Sequence, residues 1–471
     1  MKVLFVASEC RPFIPDGSLA ETVYGQARSA IKKGLKAGVI MPFYEMIKRN
    51  YQTKLIFKTT VYIKDEEKYV GLHHLKLNDI DFYFIDNEEY FFRIWLYGYG
   101  DDGERFTFFN EAVLEVLPQI EHFPDILHLN DWQTGLIPYL LKSRYKVIDI
   151  YRKIKTVLSI HCTKNQGVFP VEMEKIIDAN PSPILYSNGQ INFLKAGIME
   201  ADIITTISPS FKEETLKAGF DINLRQPLLD RIEDYYGILN GIDYDIHSPE
   251  KNTAIYQNYN ISNVINGKEI NKKRFKEMHG LPDVDCMLVG FVGQLTDLKG
   301  LNLLVQVLEH LIETTDVQFF FLGSGDQKYI DHLEYLTHKY PNQFRCYIGL
   351  NYELAYKIYA SVDLLLQPYD YEPCSNGQMI AMRYGTVPLV HEIGGLKDVI
   401  KPYNSYTGEG EGFSYINQTP DDFLKVFDLA YGLYRFNQNE WHTLVKRCTS
   451  SNHSWTNMMD EYLSIYYKLK K

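Results

Sequence analysis

Short apolar runs alternate with longer segments of helical period along almost the whole chain. The runs are rich in Val, Ile, Leu and Phe, are bounded by turn-forming residues, and are too short to be helices. This alternation is typical of βαβ units, in which parallel strands form a sheet covered by helices. The clearest predicted strands cover residues 3–8, 126–130, 156–161, 203–208, 287–293, 317–323, 362–368 and 387–391. The sequence therefore predicts an α/β protein with doubly wound parallel sheets.

The predicted strands fall into two groups along the 471-residue chain. A polar segment over 243–285, interrupted by Pro249 and containing Asn-rich stretches, lies between the groups. We therefore predict two Rossmann-like domains, over 1–245 and 246–451. A charged, aromatic helix that begins at Trp455 closes the chain, within a segment of about 452–471.

Charge and cysteine usage exclude several classes of protein. The formal net charge is −11 and there is no long Lys/Arg block, whereas nucleic acids and anionic membranes require a concentrated positive field. Six widely spaced cysteines form no CxxC or Cys/His cluster, which indicates reduced thiols and no zinc site. The apolar run over 3–7 is too short for a signal peptide, and no run approaches the ~18 residues of a membrane helix. These features predict a cytoplasmic protein.

Ligands of open α/β sheets bind just outside the carboxyl ends of the strands. With two such domains in tandem, we expect the site in a deep cleft between them. The loop after the first strand contains Gly17 and Ser18 and leads into a helix. Its backbone N–H groups and the helix dipole suit an anion, and the alternative is a simple strand-to-helix turn.

Two loops of the second half have the same design. Gln294 follows one strand and Lys299 precedes a helix, where its charge suits a phosphate or is simply solvated. A second loop carries Glu372, which accepts hydrogen bonds from sugar hydroxyls or caps the next helix. The helix start behind Glu372 offers amides to a diphosphate. Its residues are Cys374, Ser375, Asn376 and Gly377.

Polar side chains also follow two strands of the first half. Asp131 and Gln133 come after the strand over 126–130, and His161 ends the strand over 156–161. Side chains in such positions contact ligands in doubly wound folds. A single histidine is otherwise a structural residue, and that interpretation of His161 stays open.

Taken in order, these segments resemble the bacterial glycogen synthases and plant starch synthases, the ADP-glucose-dependent glucan synthases of glycosyltransferase family 5. The likeness covers nearly the whole chain. Residues that carry it include Asp131-Trp132, His161 with Gln166-Gly167-Val168-Phe169-Pro170, Asn240-Gly241-Ile242-Asp243, Lys299-Gly300-Leu301, Glu372-Pro373-Cys374 and Arg383-Tyr384-Gly385-Thr386. The resemblance implies a GT-B fold in which the terminal helix crosses back to the first domain. It also implies retaining transfer of glucose from ADP-glucose to the non-reducing 4-hydroxyl of an α-1,4-glucan, with no metal or other cofactor.

The resemblance further implies roles for individual residues. His161 would bond the 6-hydroxyl of the donor glucose, Glu372 would hold glucose hydroxyls near the reacting carbon, and Lys299 would face the diphosphate. Asp131 is assigned with these three to catalysis. The donor would also contact Gly17, Ser18, Gln294, Cys374, Ser375, Asn376 and Gly377, and the acceptor side would contain Asn240, Asp131 and Gln133.

Departures from the family pattern fall on the predicted site itself. Pro15 stands where the opening loop normally has a phosphate-facing Lys, and Gln294 stands where the second loop normally has an Arg. The usual Asp-Trp-His ends in Gln133, His-Asn has become His161-Cys162, and Leu350 replaces an aromatic expected near the adenine. Each lost transition-state cation costs about 2 to 4 kcal/mol, or about 30- to 1000-fold in rate. Reduced activity is therefore expected.

Three functions remain open at this stage. The first is an active glucan synthase whose partners are a nucleotide sugar and an α-glucan acceptor. The second is a catalytically weakened paralogue that binds glucan or regulates an active synthase, as a homo-oligomer or in association with that enzyme. The third is a transferase that uses another nucleotide sugar, because Leu350 and Cys162 alter the expected surroundings of the base and the sugar.

Overall fold

The structure, a computed structural model, describes residues 1–15, 17–177, 182–221, 223–372 and 376–470. The chain divides into two compact units. The first contains Met1–Gly241 and Trp455–Lys471, and the second contains Ile242–Ser454. The corresponding predicted boundaries are 245 and 451.

The first unit is built on a nine-stranded sheet with the order β12-β11-β7-β6-β1-β2-β5-β4-β3. The neighbouring strands from β12 to β5 in this order pair parallel, whereas β5 with β4 and β4 with β3 pair antiparallel. β3 stands at the end of the order and is an edge strand. Strands β8, β10 and β9 form a separate three-stranded sheet. The strands are β1 Lys2–Val6, β2 Lys36–Pro42, β3 Lys54–Ile63, β4 Glu66–Leu77, β5 Ile80–Asp86, β6 Ile126–Asn130, β7 Lys155–Ile160, β8 Val168–Phe169, β9 Tyr186–Ser187, β10 Gln190–Asn192, β11 Ile203–Thr206 and β12 Tyr235–Gly237.

Helices connect these strands. They are α1 Ser18–Lys32, α2 Glu45–Asn50, α3 Glu88–Phe91, α4 Asp102–Val116, α5 Ile137–Leu140, α6 Glu174–Ile177, α7 Phe193–Glu200, α8 Pro209–Leu216 and α9 Arg225–Asp230. β1 and β6 are buried almost throughout, because a central parallel strand is covered on both faces. The apolar run of β1, over 3–6, is therefore continuous rather than alternating, and β6 is buried throughout although it contains His128 and Asn130.

The second unit contains a six-stranded parallel sheet with the order β15-β14-β13-β16-β17-β18. Its strands are β13 Leu288–Val292, β14 Gln318–Gly323, β15 Phe344–Ile348, β16 Leu364–Gln367, β17 Val387–His391 and β18 Phe413–Tyr415. Its helices are α10 Val264–His279, α11 Leu301–Thr314, α12 Gln327–Lys339, α13 Tyr352–Ser361, α14 Gly377–Arg383, α15 Gly394–Val399, α16 Pro420–Phe436 and α17 Gln438–Ser450. The polar segment of the sequence thus contains a four-turn helix, α10, whose Phe275 joins the core formed with Leu288, Phe320 and Ile358.

The C-terminal helix, α18 Trp455–Lys470, belongs to the first unit. Trp455 is buried against Gly25 of α1, and Lys33 forms an ion pair with Asp460 at 2.6 Å. Further along, the Tyr466 hydroxyl lies 2.5 Å from Nδ1 of His128 on β6. The last turns of the chain are therefore part of the core of the first unit.

No helix among the described residues combines the length and the apolar character that crossing a bilayer requires.

Candidate functional site

The opening loop of the first unit brings a carboxylate under the start of α1. Gly17 has φ = +123° and precedes Ser18, the exposed first residue of the helix. The positive φ favours glycine at position 17, and a Cβ atom there would also come within 2.7 Å of Oε2 of Glu9. Ser18 is the first residue of the helix whose start the sequence predicts as an anion site. The side chain next to this helix start is the acidic Glu9.

Glu9 is held by a tyrosine that sequence reasoning did not single out. The Tyr97 hydroxyl lies 2.5 Å from Oε1 of Glu9 and 2.7 Å from the Ser8 hydroxyl. Burial raises the pKa of Glu9, and the hydrogen bond from Tyr97 opposes that rise only in part. The pKa of Glu9 therefore lies above its ordinary value.

Asp131 follows β6 in a left-handed backbone conformation, with φ = +57°. Its Oδ1 accepts hydrogen bonds from two backbone amides, with N···O distances of 2.7 Å for His161 and 3.3 Å for Cys162. Burial nevertheless raises the pKa of Asp131 to about 7, because the two amides compensate only part of the desolvation. Asp131 thereby fixes the turn that carries His161.

His161 follows β7 and is buried in a neutral form. Asn130 donates its amide N–H₂ group to the carbonyl of Val6, so its Oδ1 faces the imidazole and accepts from Nε2 at 2.9 Å. The other ring nitrogen, Nδ1, is buried and has no hydrogen-bond partner within the described part of the chain. Burial lowers the pKa of His161 to about 4. Nδ1 therefore presents a lone pair that can accept a hydrogen bond from a ligand hydroxyl.

Replacing Asp131 with asparagine is expected to change how stability depends on pH. In the folded protein Asp131 keeps its proton up to about pH 7, whereas the unfolded side chain loses it near the ordinary value of 3.8. Between these values the unfolded state binds fewer protons, so raising the pH lowers the free energy of unfolding. Urea unfolding at pH 5 and pH 7 measures the effect. Over this range the free energy of unfolding of the wild type should fall by about 2 kcal/mol relative to that of Asp131→Asn.

Asp149→Asn serves as the control for this comparison, because the Asp149 side chain is 88% exposed. Its pH dependence should match that of the wild type. Parallel curves for Asp131→Asn and the wild type would contradict the assignment of a protonated Asp131.

The predicted acceptor-side residues are also buried in the first unit. Gln133 lies in the turn Trp132–Thr134, and its side-chain oxygen, Oε1, has no partner among the described residues. Asn110 of α4 fixes this turn by donating to the carbonyl of Gln133 at 2.7 Å. Asn240 is 4% exposed and follows β12.

In the second unit the structure brings Lys299 and Glu372 together as an ion pair. Nζ of Lys299 contacts Oε2 of Glu372, and the Glu372 side chain is only 4% exposed. The backbone joins the two loops as well, since the amide of Asp370 donates to the carbonyl of Leu298 at 3.0 Å. Two residues that are 73 positions apart in the sequence thus form one rigid unit at the carboxyl ends of β13 and β16.

Tyr369 completes this arrangement, and sequence reasoning missed it. Its ring lies under Lys299, with Nζ 4.3 Å from the ring centroid, and its hydroxyl lies 3.5 Å from the carbonyl of Val292. The cation is therefore held between an aromatic face and a carboxylate. In the sequence, the one feature that could have indicated this contact is the position of Tyr369, two residues after the end of β16.

Gln294 and Leu350 are two departures from the expected pattern that lie in the second unit and are described by the structure. Gln294 is exposed on the loop after β13, before the turn Asp297–Lys299. Leu350 follows β15 and is 75% exposed. Both side chains are thus available to a ligand at the carboxyl edge of the second sheet.

The predicted diphosphate site is described only in part. Asn376 precedes α14, which begins at Gly377, and Oδ1 of Asn376 is buried without a partner among the described residues. Cys374 and Ser375 lie outside the described residues, as does Asp16 of the opening loop.

Each unit gathers part of the predicted site at the carboxyl ends of its strands. In the first unit Asp131 and His161 are in direct contact, and in the second Lys299 and Glu372 are. Within the described ranges, no group of three or more His, Cys, Asp and Glu side chains is placed to hold a metal ion.

Comparison with known proteins identifies the family. Residues 2–228 match the family described as the starch synthase catalytic domain, and residues 271–431 match glycosyl transferases group 1. The glycogen synthase of Clostridium botulinum (strain Alaska E43 / Type E3) is 40% identical over 100% of this chain and 99% of that protein. The glycogen synthase of Acholeplasma laidlawii (strain PG-8A) is 40% identical over 99% of this chain and 98% of that protein.

A solved structure agrees with these matches. The catalytic domain of starch synthase IV from Arabidopsis thaliana, described as bound to ADP and acarbose, superposes with a TM-score of 0.88. It is 25% identical to this chain and covers 99% of both chains. The predicted GT-B fold and the predicted family are confirmed: this chain belongs to the glycogen and starch synthase family of glycosyltransferases.

Proposed function

We propose that the protein transfers glucose from ADP-glucose to the non-reducing 4-hydroxyl of an α-1,4-glucan, with retention of configuration and without a metal cofactor. The observation that carries this proposal is the Lys299–Glu372 pair, held on Tyr369 at the carboxyl edge of the second sheet. A cation and a carboxylate fixed side by side suit a substrate that has a diphosphate next to a hydroxyl-rich sugar.

Lys299 would stabilise the departing diphosphate while Glu372 holds the glucose hydroxyls. As the bond to the glucose breaks, negative charge grows on the diphosphate and positive charge grows on the sugar ring. A preorganised pair of opposite charges favours this separation without having to reorient during the reaction. The hydrogen bond between Asp370 and Leu298 fixes the loops that carry the pair.

Residues of the first unit would orient the sugars. Nδ1 of His161 can accept a hydrogen bond from the 6-hydroxyl of the donor glucose, and Asp131 positions His161 through its backbone. On the acceptor side we place Asp131, Gln133 and Asn240. All of these groups are buried in the first unit.

Incubation of the purified protein with glycogen and labelled ADP-glucose tests the proposal. Label should enter the polymer, and UDP-glucose and GDP-glucose should be poorer donors. Absence of incorporation from every nucleotide-glucose would exclude an active transferase.

Two substitutions favour a second candidate, a weakened paralogue that binds glucan or regulates an active synthase. Pro15 and Gln294 provide no charge at two positions where the family has cations, and the charge of Lys299 is matched by Glu372. The exposed Leu350 favours a third, a transferase with a different nucleotide base. In a thermal-shift panel of nucleotide sugars, stabilisation by ADP-glucose alone would exclude this third candidate.

Gln294→Arg is expected to raise kcat at least about tenfold, because it adds a cation in the loop that carries Lys299. The assay is the rate of glucose incorporation from saturating ADP-glucose. Gln306→Arg is the matched control, since it adds the same charge at an exposed position of α11 and should leave kcat unchanged. An equal rate for Gln294→Arg and the wild type would show that the missing arginine does not limit the reaction.

A further inference from the structure

A histidine at the end of β17 contacts the loop that carries Glu372. Nδ1 of His391 lies 2.7 Å from the backbone carbonyl of Tyr369, whose ring lies under Lys299. The other ring nitrogen, Nε2, lies 3.0 Å from the carbonyl of Ile416, which follows β18. Since β17 lies between β16 and β18 in the sheet, the imidazole bridges the segments that follow both neighbouring strands.

Both partners of the imidazole are hydrogen-bond acceptors. A backbone carbonyl has no hydrogen to donate, so each of the two contacts requires a proton on the ring nitrogen. A neutral imidazole carries one such proton, whereas the imidazolium carries two. The cationic form of His391 therefore makes both contacts, and either neutral tautomer leaves a nitrogen lone pair facing a carbonyl oxygen.

The segment after β18 is also joined to the loop after β16. Gln418 donates from Nε2 to the carbonyl of Pro368 at 2.6 Å, and its Oε1 accepts from the Tyr415 hydroxyl at 2.7 Å. The Tyr415 ring stacks on the imidazole of His391, with ring centroids 5.3 Å apart and an angle of 21° between the planes. Gln418 and His391 thus hold two successive carbonyls of the loop, those of Pro368 and Tyr369, and the histidine is the titratable one of the two.

The charged and titratable groups next to His391 are Asp370 from the loop after β16, Tyr415 from β18 and the adjacent Glu392. Burial raises the pKa of Asp370, and attraction to His391 opposes that rise. Burial also raises the pKa of the Tyr415 hydroxyl, which stays neutral. Glu392 accepts from the Ser414 hydroxyl at 2.7 Å. The ionised Asp370 therefore attracts the imidazolium from the side of the loop.

We propose that protonated His391 is a positioning residue for glucose transfer, because its two donated hydrogen bonds hold the loop of Tyr369 and Glu372 in the reactive geometry. The inference rests on the proposed function for the reaction that this loop serves. Loss of the ring proton leaves one carbonyl without its donor, so the loop shifts and Glu372 loses its alignment with Lys299. A misaligned pair stabilises the transition state less well, so kcat falls as rising pH removes the proton from His391.

The pH dependence of kcat, measured with ADP-glucose and glycogen at saturating concentrations, tests the proposal. His391→Gln carries no charge and has donors on one nitrogen only, so it cannot reach both carbonyls. At the acidic end of the profile its kcat should be about tenfold below that of the wild type. At the alkaline end the two should be equal, and the KM for glycogen should be the same throughout. Comparing the two proteins at each pH cancels every other titration.

His391→Arg is the rescue variant. A guanidinium has donors on several nitrogens and keeps its charge at every working pH, so it can donate to both carbonyls. Its kcat should not show the alkaline decline of the wild type. His310→Gln is the matched control, because His310 is exposed on α11 and its loss should leave the profile unchanged. The same decline in His391→Arg as in the wild type, or a constant ratio between the wild type and His391→Gln, would overturn the proposal.

Hydrogen exchange on the unmodified protein without substrates is independent of turnover and decides the question even where arginine does not fit. The amide of Asp370, bonded to the carbonyl of Leu298, reports on the loop. The amide of Asp326, bonded to the carbonyl of Leu295 at 2.8 Å, is the reference in the same unit. Base catalysis raises both exchange rates with pH, so their ratio isolates the loop.

The exchange rate of the Asp370 amide relative to that of Asp326 should rise as His391 loses its proton. A constant ratio would overturn the positioning role. A rising ratio in a protein that incorporates no glucose would uphold the coupling of His391 to the loop and contradict the proposed function alone.

Discussion

Replacing Lys299 with methionine is expected to lower kcat with ADP-glucose by about 100- to 1000-fold. Methionine fills similar space on the Tyr369 ring but removes the charge that would stabilise the leaving diphosphate. Because Pro15 and Gln294 are uncharged at two positions where the resemblance implies cations, we expect the reaction to depend strongly on Lys299. Initial rates at saturating donor and acceptor measure the loss, and the far-ultraviolet circular dichroism should be unchanged.

Lys328→Met is the matched control for this prediction. Lys328 forms an ion pair at 3.0 Å with Asp297, which lies in the same turn as Lys299. The Lys328 side chain is 59% exposed. Breaking an exposed pair should have little effect on stability and should leave kcat within about twofold of the wild type. Equal activity of Lys299→Met and Lys328→Met would remove Lys299 from the proposed mechanism.

The ion pair also has a consequence for substrate binding. Glu372 is nearly inaccessible to solvent, so it requires a charged or hydrogen-bonding partner at all times. In the ligand-free protein Lys299 contributes to that role. When a diphosphate attracts Lys299, the sugar hydroxyls can replace part of its contact with Glu372. Donor binding and the separation of the pair are therefore expected to occur together.

The sequence predicts the fold well wherever local pattern determines structure. The buried parallel strand β1 is an almost continuous apolar run, and β6 is followed directly by Asp131 and then Gln133, which the sequence places in the predicted site. The predicted start of the terminal helix, Trp455, is the residue at which α18 begins. These features depend on neighbouring residues in the chain, so one sequence is enough to predict them.

Contacts between distant residues were not predictable in the same way. Tyr97 and Tyr369 are two among 36 tyrosines, and no local pattern separates a tyrosine under a lysine from one in the core. The placement of Glu9 under Gly17 depends on a positive φ angle that the sequence does not display. The residues of the candidate site were named from motifs, but their pairing required the fold.

Replacing Gly25 with alanine is expected to destabilise the protein by about 2 to 3 kcal/mol, although alanine is the better helix former. Gly25 lies inside α1, where a Cβ atom would come within 2.1 Å of the Trp455 indole. Trp455 is only 2% exposed, so we expect the added methyl group to push α18 away from α1. Urea unfolding measures the loss, and amides of α18 should exchange faster with solvent.

Gly432→Ala is the matched control for Gly25→Ala, since Gly432 also lies within a helix, α16, and a Cβ atom there meets nothing within 4 Å. There only the helix propensity acts, so this variant should be more stable than the wild type by about 0.5 to 1 kcal/mol. The two substitutions are chemically identical, and their opposite effects isolate the contact with Trp455. A stabilising effect of Gly25→Ala would show that α18 is not packed tightly against α1.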